Sequence, residues 1–349
     1  VSKLWFIENA TSGSQSIIIS QGSGASITIL NGQTKAIYSD GAGSGAAMVD
    51  AFTDLSVPSF FVSGDLDVDG TANLDVVDVD GASNFAADVT FADGADIITA
   101  SAGTSNVRVG VNAGNSIESG GNQNVVIGDE AGTALTTGDF NVMVGYAAGD
   151  AFTTGGRNVG IGQNALSTDT LGSRSTAVGQ GALGTQNFTT STNVYNVAVG
   201  ALAGNAITTG TFNTILGGQA ADALTEGTRN VALGYGALTS DTLGSKSVAI
   251  GIAALDAQNF TTATDSNNVA VGNNAGAAVT TGIENTIVGG LAGDALTDAD
   301  FNVALGTFAL TADTLGSRST ALGRSALASQ NFTTATDTYN VAVGFNAGT

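Results

Sequence analysis

The 349-residue chain has no cysteine, no histidine and a single proline, Pro58. Without Cys there are no disulfides and no thiolate chemistry, although this names no compartment. Without His as well, a Ser-His-Asp triad, a Cys nucleophile and the common zinc sites are excluded. Aromatic residues make up 6% and charged residues 11%, too few large side chains for an ordinary compact core. Nine Lys and Arg stand against 30 Asp and Glu, a net charge of −21. Cations so thinly spread are expected to form no patch, so no nucleic-acid partner is expected. An anionic membrane surface would repel the chain. There is no apolar run of about 18 residues and no signal peptide, so no membrane insertion is expected.

What is present is glycine, 50 of them, and a hydrophobic fraction of 42% carried by Val, Ile, Leu and Ala. That fraction is too high for a solvated coil. Small residues, frequent Gly and a regular apolar rhythm point to an all-β solenoid, with Gly at its corners.

The segment Asn-Val/Thr-x-Val/Ile/Leu-Gly recurs along the chain. It starts at Asn106, Asn124, Asn141, Asn158, Asn196, Asn213, Asn230, Asn268, Asn285, Asn302 and Asn340, with a Ser variant at Ser175, Ser247 and Ser319. From Asn124 the starts are 17, 17, 17 and 21 residues apart, and the pattern then repeats. Asn124, Asn196, Asn268 and Asn340 are therefore equivalent in a 72-residue super-repeat. Fixed periods this short signal stacked rungs, here a β-solenoid over 106–349. In the rung at 196–200, Val197 and Val199 alternate with Ala198. The two Val are expected to face the core, Ala198 the opposite side, and Gly200 to end the strand. The following stretch, 203–210, reads as a second strand and corner. The Asn side chains are expected to form ladders that anchor the rungs.

Every fourth rung is longer by four residues, in the Gln-Asn-Phe-Thr-Thr stretches at 186–190, 258–262 and 330–334. Stacked strands cannot absorb extra residues, so these bulge outward. Asn187, Phe188, Asn259, Phe260, Asn331 and Phe332 would then form a row of surface contact loops. The competing reading folds each Phe back over a rung edge or a neighbouring chain.

The Asn-Val-Ala-Val-Gly units resemble the head repeats of trimeric autotransporter adhesins of the YadA type. That resemblance covers 106–349 and implies a left-handed parallel β-roll packed as a homotrimer. The rungs of 17 and 21 residues are longer than in that family, which leaves the roll geometry open.

Residues 1–56 read as a small antiparallel β domain, with alternating stretches at 4–7, 16–20, 26–30 and 35–38 between turns. The stretch from Leu4-Trp5-Phe6-Ile7-Glu8-Asn9 to Tyr38-Ser39-Asp40-Gly41, with Ala51-Phe52-Thr53-Asp54-Leu55, resembles a module of phage tail-fibre and virion structural proteins. Residues 57–105 carry Asp-Gly turns at Asp69-Gly70, Asp80-Gly81 and Asp93-Gly94. Strands as short as 66–68 and 77–79 cannot stand alone and look like a trimeric fibre shaft, with Pro58 at the junction.

No residue is assigned a catalytic, cofactor-binding or metal role. Paired carboxylates for glycoside cleavage would draw on Glu8, Glu118, Glu130, Glu226 and Glu284; Glu118 and Glu130 are out of phase in the repeat. Gly244-Ser245-Lys246-Ser247 lacks the earlier Gly, buried strand and helix of a phosphate loop. It belongs to the Asp-Thr-Leu-Gly-Ser-Arg/Lys-Ser unit at 169–175, 241–247 and 313–319, read as a turn with an Asp–Arg/Lys pair across it. Asp-rich turns could hold Ca²⁺ but lack the spacing of an EF-hand or a calcium β-roll, and read as solvated turns. The pairs Thr136-Thr137, Thr208-Thr209 and Thr280-Thr281 read as strand-end Thr at turns. The sequons at Asn9, Asn187, Asn259 and Asn331 read as by-products of the repeat.

These readings lead to an expected structural fibre of a bacteriophage virion, without enzymatic activity and without cofactors. It would be a stiff homotrimer that attaches to host surface glycan or protein. The chain begins at Val1 and stops within a repeat, so it is expected to be part of a longer protein whose termini meet other virion proteins. The alternatives are a trimeric adhesin or filament at the bacterial cell surface, and a polysaccharide-degrading tailspike.

Overall fold

The computed structural model describes residues 3–51 and 101–349. The chain divides into two units, Val1–Val89 and Thr90–Thr349. The Asp-Gly turns, Pro58 and nearly all of the expected shaft lie outside the described residues.

In the first unit, β1 (Leu4–Glu8), β4 (Thr34–Ser39) and β5 (Met48–Asp50) form an antiparallel sheet in the order β1-β4-β5. The strands β2 (Ile17–Ile19) and β3 (Ile27–Ile29) make a separate antiparallel pair. Ile29, Ala36, Ile37 and Met48 are buried between them. Asn9 is buried too, and its amide donates to the carbonyls of Gln15 and Ile29. That amide is committed to holding the turn, so the first sequon is structural.

The second unit is a parallel β-solenoid. Fourteen three-residue strands, from Val107–Val109 to Val341–Val343, pair in sequence order in one sheet. Registers are fixed by the repeat: Ala177 faces Ala198, and Ala249 faces Ala270. Both pairings span 21-residue rungs, so the extra residues leave the strand register intact.

The strand faces are the reverse of the sequence expectation. Ala198 is fully buried, and Val197 is 38% exposed. The same holds in the rungs of Thr214–Leu216 and Val303–Leu305, where Ile215 and Ala304 are buried and Leu216 and Leu305 lie outside. The reason is geometric. A 17-residue rung encloses little space, and a second inward row already occupies it with Leu135, Phe152, Ile207, Leu224, Val279 and Leu296. Opposite that row each strand places one residue inward, most often Ala, with Val126, Met143, Ile215 and Ile287 taking the same place. The apolar alternation was legible in the sequence; its inward phase was not.

The stretch 203–210 is a turn rather than a second strand. Leu202 and Gly204 adopt left-handed φ values of 58° and 57°. The turn still joins its neighbour through backbone bonds, as from Gly204 N–H to the carbonyl of Ala220 at 2.9 Å. The strand-ending glycine is required by its backbone. Gly200 has φ 138°, and a Cβ there would lie 2.5 Å from the carbonyl oxygen of Gly217 on the next rung. L-residues rarely enter that region of φ.

Candidate functional site

Four columns of side chains run along the solenoid, each produced by one or two positions of the repeat. The Asn column is internal. The Asn124 side-chain oxygen accepts from the backbone N–H of Asn141 at 2.8 Å, and its amide donates to the carbonyl of Gly138 at 2.9 Å. Asn141, Asn158, Asn213, Asn230, Asn285 and Asn302 repeat the pattern, and all are fully buried. Asn196 and Asn268 repeat it as well and also donate to the side-chain oxygens of Gln186 and Gln258, while Asn340 is exposed. A Thr column runs in parallel: the Thr136 hydroxyl donates to the carbonyl of Thr153, and that of Thr153 to Thr170.

The long rungs fold back onto the preceding rung instead of projecting as free loops. Gly172–Ser173 pairs in parallel with Thr192–Asn193, and the same two-residue pairing recurs at Gly244–Ser245 and Gly316–Ser317. Phe188 and Phe260 are buried and Phe332 is half-buried. The Phe188 N–H donates to the Asp169 carboxylate at 3.1 Å, which draws the ring inward. Asn187, Asn259 and Asn331 stay at the surface, and each accepts from the Thr one rung earlier. What these segments offer outward is Thr189 and Thr190 and their counterparts, not the aromatic rings.

Asp169, Asp241 and Asp313 do not pair with the Arg or Lys of their own turns. All three are buried, and the oxygens of Asp169 accept from Gly172 N–H and the Gln186 amide. Burial pushes the Asp169 and Asp241 carboxyls above the usual range, against the opposing pull of those hydrogen bonds. The basic residues bond to the following rung instead. Lys246 meets Asp265 at 2.6 Å, Arg318 meets Asp337 at 2.9 Å, and Arg174 donates to the Asn193 side chain at 2.9 Å.

The third column is the outer face of the fourteen-stranded sheet. Its two positions per rung hold only Val, Ile, Leu and Thr, from Val107 and Val109 to Val341 and Val343. No charge interrupts it.

The fourth column is the residue before each anchor. Five of the chain's nine cations stand in it, at Arg157, Arg174, Arg229, Lys246 and Arg318, which corrects the expectation of scattered charge. They alternate with exposed rings. Arg157 lies over Phe140 at 5.0 Å, Arg174 over Tyr195 at 5.6 Å, and Arg229 over Phe212 at 5.6 Å. Tyr195 and Phe212 stack on each other at 5.6 Å and 17°. Arg318 sits between Phe301 and Tyr339. The signal was available in the sequence, since every one of these residues directly precedes a repeat start.

Among the described residues no three acidic groups converge as a metal site, and no helix is long and apolar enough to cross a membrane. The first unit has a cleft of about 310 Å³ lined by Trp5, Ile7, Ile19, Ile37 and Met48, with no titratable side chain in its wall. No protein family, no curated protein and no solved structure matches the chain.

Proposed function

We propose that this chain is a structural fibre without enzymatic activity, assembled as a homotrimer on a bacteriophage virion and used for attachment to a host surface. The observation that carries the reading is the uncharged outer face of the sheet. Three residues at about 3.3 Å by fourteen rungs at about 4.8 Å make a strip on the order of 650 Å². That reaches or exceeds the largest apolar patch on an ordinary monomer, about 300–600 Å². Copies of the same chain offer a matching strip with the same rung spacing, and a closed cyclic assembly leaves none of it in water. Every strand pairs on both sides through most of the stack, which supports a stiff rod. Three chains side by side would turn weak single contacts with glycan or protein into avidity.

The phage assignment draws on the resemblance of residues 1–55, and the internal stack of identical rungs is consistent with it. Two measurements test the proposal. Light scattering on the folded chain is expected to return three times the mass of one chain; the mass of a single chain would overturn the trimer. Peptide mass spectrometry on purified virions and on the bacterial envelope fraction is expected to find the chain in virions. Recovery from the envelope alone would favour a bacterial surface adhesin or filament.

A further inference from the structure

We infer that the column preceding the anchors is a binding ladder for an acidic polysaccharide, an inference that deepens the attachment reading and rests on it. Backbone conformation defines the column. All fourteen of its residues, from Ser105 to Tyr339, have φ between 50° and 68°. Leu183, Leu202 and other non-glycine residues of the repeat share that conformation, so what marks the column is its choice of side chain, Phe, Tyr, Arg and Lys at ten of its fourteen rungs.

Charge points the same way. On a chain of net charge −21, this one column gathers five of nine cations, all exposed. Arg157 and Arg174 are on consecutive rungs, as are Arg229 and Lys246, and their heads point to opposite sides: Arg157 and Arg229 lie over rings of the preceding rung, while Arg174 and Lys246 reach the following one. Arg157 and Arg229 rest on rings and pair with no described carboxylate. A bound anion would give these two guanidinium groups the partner they lack, and carboxylate or sulfate oxygens match them well.

Spacing narrows the ligand. Six successive rungs run cation, cation, ring, ring, cation, cation; the second member of the cation pair recurs every 72 residues at Arg174, Lys246 and Arg318, and the first at Arg157 and Arg229, with Phe301 in its place in the third unit. Four rungs span about 19 Å. Charge that recurs at such intervals, with exposed aromatic surface between, suits a chain of sugars with sparse acidic groups and apolar ring faces. Duplex nucleic acid, with a charge every ~1.7 Å, would be repelled by the surrounding carboxylates.

The test uses the intact chain with hyaluronan and gellan, which carry one carboxylate per two and per four sugars, as probes, and neutral dextran and duplex DNA as comparisons. At least one acidic polysaccharide is expected to bind, weakening as salt rises, while neutral dextran does not. Replacing Arg157, Arg174, Arg229 and Lys246 together by Gln is expected to reduce affinity by at least about tenfold with an unchanged circular dichroism spectrum. Arg324→Gln, outside the column, should leave affinity unaltered. If the fourfold variant does not fold, the single exposed variants Arg157→Gln and Arg229→Gln decide by the same measurement. Failure of both acidic probes, equal binding of DNA, or unchanged affinity in the variants overturns the ladder. Light scattering on the same samples separates the two readings. Binding by a single chain would remove the trimer and leave the ladder; a trimer that binds neither acidic probe would remove the ladder alone.

Discussion

The side-chain amide of Gln258 donates to the carboxylate of Asp241, its counterpart one rung earlier, at 2.6 Å. The same amide donates to the Ser247 hydroxyl at 2.8 Å, and its carbonyl accepts from Asn268 at 2.9 Å. Gln186 and Gln330 repeat this beside Ser175 and Ser319. Two features that looked independent in the sequence, the Ser variant of the anchor and the Gln eleven residues after it, are one device. A short Ser leaves room where the Asn side chain would be, and the Gln of the same rung fills it.

Gln258→Ala should therefore be costly. It leaves Asp241, Asn268 and Ser247 short of partners in a buried place, for an expected loss of about 3 kcal/mol. Urea unfolding checks the total. Hydrogen exchange should show the loss centred on the rung of Val248–Ile250, since each rung answers mainly to its neighbours. Uniform loss along the stack would contradict such nearest-neighbour coupling.

Acidification should favour the fold through Asp169 and Asp241. Their folded carboxyls titrate above the usual range because burial disfavours the charge. A group raised in the folded state contributes most below its unfolded value, about 3.9 for Asp, and the contribution fades as pH rises through the folded value. The urea midpoint is expected to rise as pH is lowered from about 7 toward about 4. Relief of net negative charge acts in the same direction. The readout is thus the difference from Asp169→Asn/Asp241→Asn, whose pH dependence should be flatter; parallel curves would refute the assignment.

Two glycines with positive φ should behave differently. Gly236 has φ 62° and open space where an added Cβ would sit, so Gly236→Ala is expected to cost about 1 kcal/mol. At Gly200 the new Cβ would sit 2.5 Å from a carbonyl on the next rung, with φ 138°. Gly200→Ala should cost at least about 3 kcal/mol or prevent folding. Comparable melting temperatures for the two variants would show that the close approach between rungs is not what demands glycine.

Assembly should depend on Leu216 and Leu233, outward-facing neighbours on consecutive rungs that are 43% and 36% exposed. Replacing both by Lys places two charges in the proposed shared core. The expected result is a lower mass by light scattering with the parallel sheet intact by circular dichroism. A variant that keeps the full assembled mass would place the interface elsewhere.

Much of the second unit was legible from spacing alone. The recurring Asn fixed the rung length, and Gly200 and its equivalents marked the strand ends. The direction of the strand faces was not legible, because alternation in a three-residue strand has no phase until the size of the enclosed space is known. The middle residue goes inward whether it is Ala198 or the larger Ile215, which only the folded rung reveals. The inward turn of Phe188 depends on Asp169, 19 residues earlier, accepting its N–H. The cation column was hidden for another reason: composition counts nine basic residues over the chain, whereas stacking brings five of them into one line.

The equivalence of Asn124, Asn196 and Asn268 has a consequence for inheritance. Units of 72 residues meet one another with the same strand register and the same buried partners. Loss or duplication of one unit by recombination would move everything beyond it by about 19 Å while preserving each interface between rungs. Reach is thereby separable from stability, and a lineage could adjust its length in fixed steps without evolving a new fold.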